Sequence, residues 1–204
     1  MKREIASLLG IATGVALAAC ANSTPHAKEA VMSTASAQGT SNKMPAKWPL
    51  KFESHSFGAF CYDTTSCLVR YAGQEHGDDK PSPPSSTYGP RYLAHLNGSH
   101  GQIRNFPAAA KVSWRSKDGQ PHEAEIDIAE IFADQMIRHN VKRGHVADLP
   151  SGEYEGDPSI LLEINDRIIR VWMKAFIPTK EPQVAGKPNS DAVYEPVLVE
   201  TYTY

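Results

Sequence analysis

Ile160-Leu161-Leu162-Glu163-Ile164-Asn165-Asp166-Arg167-Ile168-Ile169-Arg170-Val171-Trp172-Met173-Lys174-Ala175-Phe176-Ile177 carries the strongest core signal in the 204-residue chain. Two runs rich in Ile, Val and Leu flank Asn165-Asp166-Arg167, which supplies turn chemistry, so the stretch predicts an antiparallel hairpin. The same pattern recurs upstream. Lys111-Val112-Ser113-Trp114-Arg115 alternates, Lys117-Asp118-Gly119 turns, and Glu123-Ala124-Glu125-Ile126-Asp127-Ile128 alternates again. There the polar residues at 123, 125 and 127 share one face, and Ala124, Ile126 and Ile128 share the other, as in a strand with one wet side. Pro196 to Tyr204 is β-branched and aromatic and reads as a last strand. The reading is a mainly β fold, an antiparallel sandwich or bent sheet with at most one or two short helices, the best helix candidate being Ile128 to Asn140.

Two further strands, Phe57 to Tyr62 and Leu68 to Tyr71, flank Cys61 and Cys67. Five residues separate the cysteines, enough for a hairpin tip whose flanks face each other. In an oxidising compartment the pair predicts a disulfide, with a contribution of roughly 2 kcal/mol from closing so short a loop. The spacing is not Cys-x-x-Cys, which argues against a redox couple. Gly73 to Pro90, with Asp78-Asp79 and Pro81-Ser82-Pro83-Pro84, and Gly144 to Pro158, with Glu153-Tyr154-Glu155-Gly156-Asp157, read as long loops.

The compartment follows from the N-terminus. Lys2 and Arg3 precede an apolar stretch, Ser7 to Ala19, too short to span a bilayer with margin, which marks residues 1–19 as a signal peptide. Leu17-Ala18-Ala19-Cys20 resembles the lipobox of bacterial lipoproteins. That resemblance implies acylation of Cys20 and a membrane anchor, and Ala21 in place of Asp implies the outer membrane. Residues 20–47 are mostly Ala, Ser, Thr, Asn and Lys without Phe or Tyr, and are expected to form a flexible tether of roughly 30 Å root-mean-square span. Residues 48–204 then form one β-rich domain. Removing Lys2, Arg3 and Glu4 with the leader leaves 19 basic and 22 acidic residues of the chain's 21 and 23, a formal net of −3. That balance argues against nucleic acid as a partner.

Enzyme signatures are weak. Asn97-Gly98-Ser99-His100-Gly101 has Asn where a nucleophile elbow has its first Gly. His95 with His100, and His139 with His145, lack helical spacing and a carboxylate set, and read as solvated histidines in place of zinc ligands. Glu123, Glu125 and Asp127 share a wet strand face with no pocket to perturb them. The reading is therefore a chain that is not an enzyme and has no cofactor or metal.

Pro107 to Phe132, containing Val112-Ser113-Trp114-Arg115, Lys117-Asp118-Gly119 and Ile126-Asp127-Ile128, resembles small proteobacterial lipoproteins, the type VI lipase immunity proteins. Ile164-Asn165-Asp166-Arg167 and Val171 to Lys180 extend the likeness, which together with the lipobox covers most of residues 50–204. The resemblance implies an immunity lipoprotein in the periplasm that binds a phospholipase toxin effector of type VI secretion and blocks its active site. A scaffold or assembly lipoprotein of the cell envelope is the alternative reading. Exposed loop tyrosines suit protein recognition, so Asp78, Asp79, Tyr88, Tyr92, Tyr154 and Glu155 are the candidate partner contacts, with both long loops contributing.

Overall fold

The computed structural model describes residues 43–204. The leader, Cys20 and most of the tether lie outside the described residues. The fold is mainly β, as expected, and two sheets enclose one core.

The strands in chain order are β1 (Ser54–Tyr62), β2 (Thr64–Tyr71), β3 (Gln74–Asp78), β4 (His100–Arg104), β5 (Ala110–Ser116) and β6 (Pro121–Ile126). There follow β7 (Ser159–Asn165), β8 (Ile168–Lys174), the two-residue β9 (Ile177–Pro178) and β10 (Ala192–Val193), and β11 (Pro196–Thr203). A five-stranded sheet has the order β11-β8-β7-β1-β4, and a four-stranded sheet the order β3-β2-β5-β6. Every pairing is antiparallel except β1 with β7, which is parallel.

Phe57, Ile160, Leu162, Ile164, Ile169, Val171 and Met173 from the larger sheet meet Val69, Tyr71, Val112, Trp114 and Ile126 from the smaller. Phe57 and Tyr71 pack with ring centres 4.4 Å apart across the interface. The hairpin read at 160–174 is β7–β8, turning on Asp166 in the left-handed region (φ 54°). The hairpin read at 111–126 is β5–β6, and its polar residues face solvent. The two turns dock: the Trp114 indole N–H donates to the Asp166 carbonyl at 2.7 Å, and Arg167 pairs with Asp118.

Three expectations are corrected. Cys61 and Cys67 are bonded, but they do not close a hairpin. Both edges of β1 are already occupied, by β4 and β7, and only Asp63 (φ 51°) separates it from β2, so the chain turns a corner from one sheet into the other. The disulfide straps that corner. The second correction concerns Gln74–Asp78, which is β3 and not loop. Ala72 and Gly73 (φ 49° and 80°) give the two-residue turn that folds it back on β2. Gly77 is required in this strand, because a Cβ there would lie 2.2 Å from the Cys67 carbonyl oxygen. The one short helix expected within 128–140 is present as a single turn, α1 (Ile128–Ile131), capped by Asp127 accepting from the Glu130 N–H at 3.0 Å. It stops because the backbone beyond is taken up elsewhere: Phe52 N–H bonds the Gln135 carbonyl, and Ile137 N–H bonds that of Leu50. Last, Met44 and Lys47, placed in the tether by composition, already pair with the domain, through Leu149 and Gly152 respectively.

Candidate functional site: a tyrosine-walled cleft over the disulfide corner

The outer face of the five-stranded sheet is not bare. Alternation turns Leu161 and Glu163 of β7, and Arg170, Trp172 and Lys174 of β8, away from the core, yet Leu161, Glu163 and Lys174 are buried. The chain between β3 and β4 lies over them, carrying short 3-10 turns at Ser85–Tyr88 and Tyr92–His95. It comes so close that a Cβ on Gly58 would sit 2.8 Å from the Asn97 carbonyl oxygen, and only glycine leaves that room.

Two charged groups fasten this covering segment. Glu163, with 0% of its surface exposed, accepts from the Tyr92 hydroxyl (2.9 Å), Asn165 Nδ2 (3.1 Å), the Arg170 guanidinium (3.1 Å) and the Trp172 indole N–H (3.0 Å). A buried carboxylate is tolerable only when its lone pairs are satisfied in this way. At the other end, the 2%-exposed Lys174 ammonium donates to the Ala94 carbonyl (2.8 Å), the Leu96 carbonyl (3.0 Å) and Asn97 Oδ1 (2.9 Å). Its nitrogen lies 4.3 Å from the centre of the Tyr194 ring. Burial holds the Lys174 pKa below its ordinary value. Three carbonyl dipoles and an aromatic face compensate for the missing counter-ion.

Beside Glu163 the tyrosines gather. Tyr62 meets Tyr88 and Tyr92 edge-on, with ring centres 5.6 and 5.4 Å away. Burial, then the Glu163 charge, pushes the Tyr62 hydroxyl up to about 12. Burial and the hydrogen bond to Glu163 also raise Tyr92. Tyr62 and Tyr92 therefore stay neutral hydroxyls through the physiological range, and Tyr88 stands beside them. They form the wall of an open cleft of about 520 Å³, whose other sides are Phe60, Cys61, Asp78 and Lys80. Tyr88 is 56% exposed at its mouth. The Pro81–Pro84 run is pinned to the corner by the Ser82 N–H on the Thr64 carbonyl and the Asp63 N–H on the Pro83 carbonyl.

The six candidate contacts thus separate. Asp78, Tyr88 and Tyr92 share the cleft. Asp79 is exposed on the neighbouring surface with Arg115 and His122. Tyr154 and Glu155 are elsewhere: Tyr154 packs against the core near Tyr194 and Phe176, its hydroxyl pushed by burial up to about 12, and Glu155 accepts from Ser151 at 2.7 Å. They lie toward the Ser159 end of β7, whereas Tyr62 pairs with Asn165 at the other end, about 20 Å away at 3.3 Å per residue. Sequence reasoning missed Glu163, Arg170, Trp172 and Lys174. The available signal was a lone Glu within an aliphatic run, opposite an outward row of Arg, Trp and Lys on the next strand.

No family model, curated protein or solved structure matches the chain.

Proposed function

We propose that this chain is a lipid-anchored envelope protein that binds a periplasm-acting phospholipase effector of type VI secretion and neutralises it, without turnover of its own. The observation that supports it best is the wall of Tyr62, Tyr88 and Tyr92 beside Asp78. These side chains come from segments distant in sequence and are braced from beneath by a satisfied buried charge. Rigid, amphipathic rings over a pre-formed concavity lose little side-chain freedom on binding, which is what a tight inhibitor needs. The signal peptide and the lipobox-like Leu17-Ala18-Ala19-Cys20 support the address, and the likeness of the two hairpins to type VI lipase immunity proteins supports the partner.

Inhibition of this kind buries on the order of 1,600 Å² in total. The cleft alone is smaller, so the contact extends from it, with Tyr154 and Glu155 as a separate outlying patch. The test expresses the effector encoded beside this chain in the periplasm, with and without the chain, and titrates the two proteins by calorimetry. Survival only with the chain, and loss of binding on Tyr88→Ala, are expected. Equal killing with no detectable complex would overturn the proposal and favour an envelope scaffold.

A further inference from the structure

The end of the five-stranded sheet away from the tyrosine wall has a different character. β1 runs nine residues from Ser54 to Tyr62, so its start lies about 26 Å from Tyr62 at 3.3 Å per residue. Beyond that start, two irregular stretches run side by side. Met44 pairs with Leu149, the Lys47 N–H bonds the Gly152 carbonyl, and Lys51 pairs with Met136. Between them, Trp48 meets the His139 ring edge-on, with ring centres 5.4 Å apart.

Their charge is one-sided. Residues 43–204 carry 18 of the chain's 21 basic and 21 of its 23 acidic residues, a formal net of −3. Yet residues 43–51 hold Lys43, Lys47 and Lys51, and residues 135–147 hold Arg138, Lys142 and Arg143, with no Asp or Glu in either run. Glu153 pairs with Lys47 and Asp134 with Arg138, and the exposed Asp148 borders the runs. The other four cations are exposed and have no ion pair among the described residues. Among them stand two exposed apolar side chains, Met44 and Trp48. The Arg143 guanidinium lies over the Trp48 ring, 5.7 Å from its centre. An exposed indole among unpaired cations suits the headgroup layer of a bilayer, where the ring sits at the boundary and the cations meet phosphate.

We propose that this end of the domain docks on anionic phospholipid. The inference rests on the lipid anchor at Cys20, and connectivity favours it. Only 22 residues separate Cys20 from Lys43, where the chain joins the domain within the basic run. A flexible tether of that length reaches roughly 26 Å, so it keeps this end close to the headgroups. Even a weak surface contact is then sustained by the high effective concentration. Charge complementarity selects the lipid: anionic headgroups attract the four unpaired cations, and zwitterionic ones do not. Docked in this way, the domain turns its tyrosine wall away from the bilayer and leaves it open to a protein partner.

The test reconstitutes the full chain, isolated with its lipid from the membrane fraction, into phosphatidylcholine vesicles with and without phosphatidylglycerol. Part of the lipid is brominated near the headgroup end of its chains. Quenching of tryptophan fluorescence is expected only with phosphatidylglycerol, and it should vanish in Trp48→Phe and at high salt. Lys142→Gln combined with Arg143→Gln should lower the ratio of docked to undocked chain about 25-fold, at roughly fivefold per cation. Lys117→Gln, at the β5–β6 turn beside Asp166, should change nothing. Circular dichroism checks that the variants fold. Equal quenching with and without phosphatidylglycerol, or no quenching of a chain that stays on the vesicles, would overturn docking and leave the anchor standing. Release of the parent from the vesicles by salt would remove the anchor, and the proposal with it.

Discussion

Truncating Glu163 to Ala removes one acceptor group from four donors at once, and the donors differ in how well they can recover. Asn165 also donates to the Ser85 hydroxyl at 3.2 Å, and the Arg170 side chain keeps 28% of its surface in water. The Tyr92 hydroxyl and the Trp172 indole N–H have no other acceptor among the described residues. Breaking a buried ion pair from one side costs about 3–5 kcal/mol, and each stranded neutral donor about 1–3 kcal/mol. Partial exposure of Arg170 and local rearrangement keep the sum from being additive, so Glu163→Ala is expected to destabilise the fold by about 4 kcal/mol. Arg170→Ala breaks the same pair from the other side and leaves a wholly buried carboxylate with three neutral donors, so it should cost a comparable amount, about 3 kcal/mol. A paired Glu163→Leu, Arg170→Met variant should recover much of the loss, because no charge is left stranded. Urea unfolding of the full chain in detergent, followed by circular dichroism, reads all three. With a slope near 2 kcal/mol per molar, Glu163→Ala should lower the midpoint by about 2 M. A shift below about 0.5 M for Glu163→Ala, or no recovery in the paired variant, would refute the view that the carboxylate is the hub.

Stability should also fall on mild acidification. Burial lowers the pKa of His55 and His139, so below about pH 6.5 the unfolded chain takes up protons that the fold resists. Urea midpoints should be flat above pH 7, and stability should decline below 6.5 at up to about 1.4 kcal/mol per pH unit for each histidine. A flat profile from pH 7.5 to 5.5 would refute this. Replacing both Cys61 and Cys67 by Ser should cost about 2 kcal/mol, read as a fall in the variant's unfolding midpoint relative to the oxidised parent. Lys174→Met keeps the aliphatic stem but strands three acceptors. Hydrogen exchange of residues 92–98 should accelerate at least about tenfold, while β5 and β6 stay protected. Cys20→Ser should release the chain from the membrane fraction, and mass spectrometry of the parent should find lipid on Cys20.

Local chemistry made some of this architecture readable. β5, β6, β7, β8 and β11 announce themselves by alternation or β-branched content: the first four bury residues in the core, and β11 lays the half-buried Val199 and Tyr202 against it. β3 does not: Gln-Glu-His-Gly-Asp has little strand propensity, and it is held extended by β2 and the Ala72-Gly73 turn. The single-residue corner at Asp63 was hidden for a different reason. Two strands joined so tightly look like a hairpin until it is known that β1 has neighbours on both edges. At the site, Tyr88 and Tyr92 were legible as loop residues of a type that suits recognition, whereas Asp78, read as loop, ends β3. Glu163 and Lys174 were not legible, since a charge within an apolar run reveals its burial only when a distant segment is seen lying on top of it.

The lone parallel pairing also constrains the order in which the domain can assemble. Ser56 and Ser159 bond to each other in β1 and β7, 103 positions apart, whereas β5–β6 and β7–β8 close through short turns. A chain delivered N-terminus first can make the β5–β6 hairpin early, but β1 must wait for residues 159–165 before its central neighbour exists. Until then one of its two edges is unpaired. Pairings of such long range are slow to form, because the loop entropy is lost before any contact rewards it. The last 46 residues, from Ser159 onward, are therefore the segment whose arrival commits the rest of the molecule to fold.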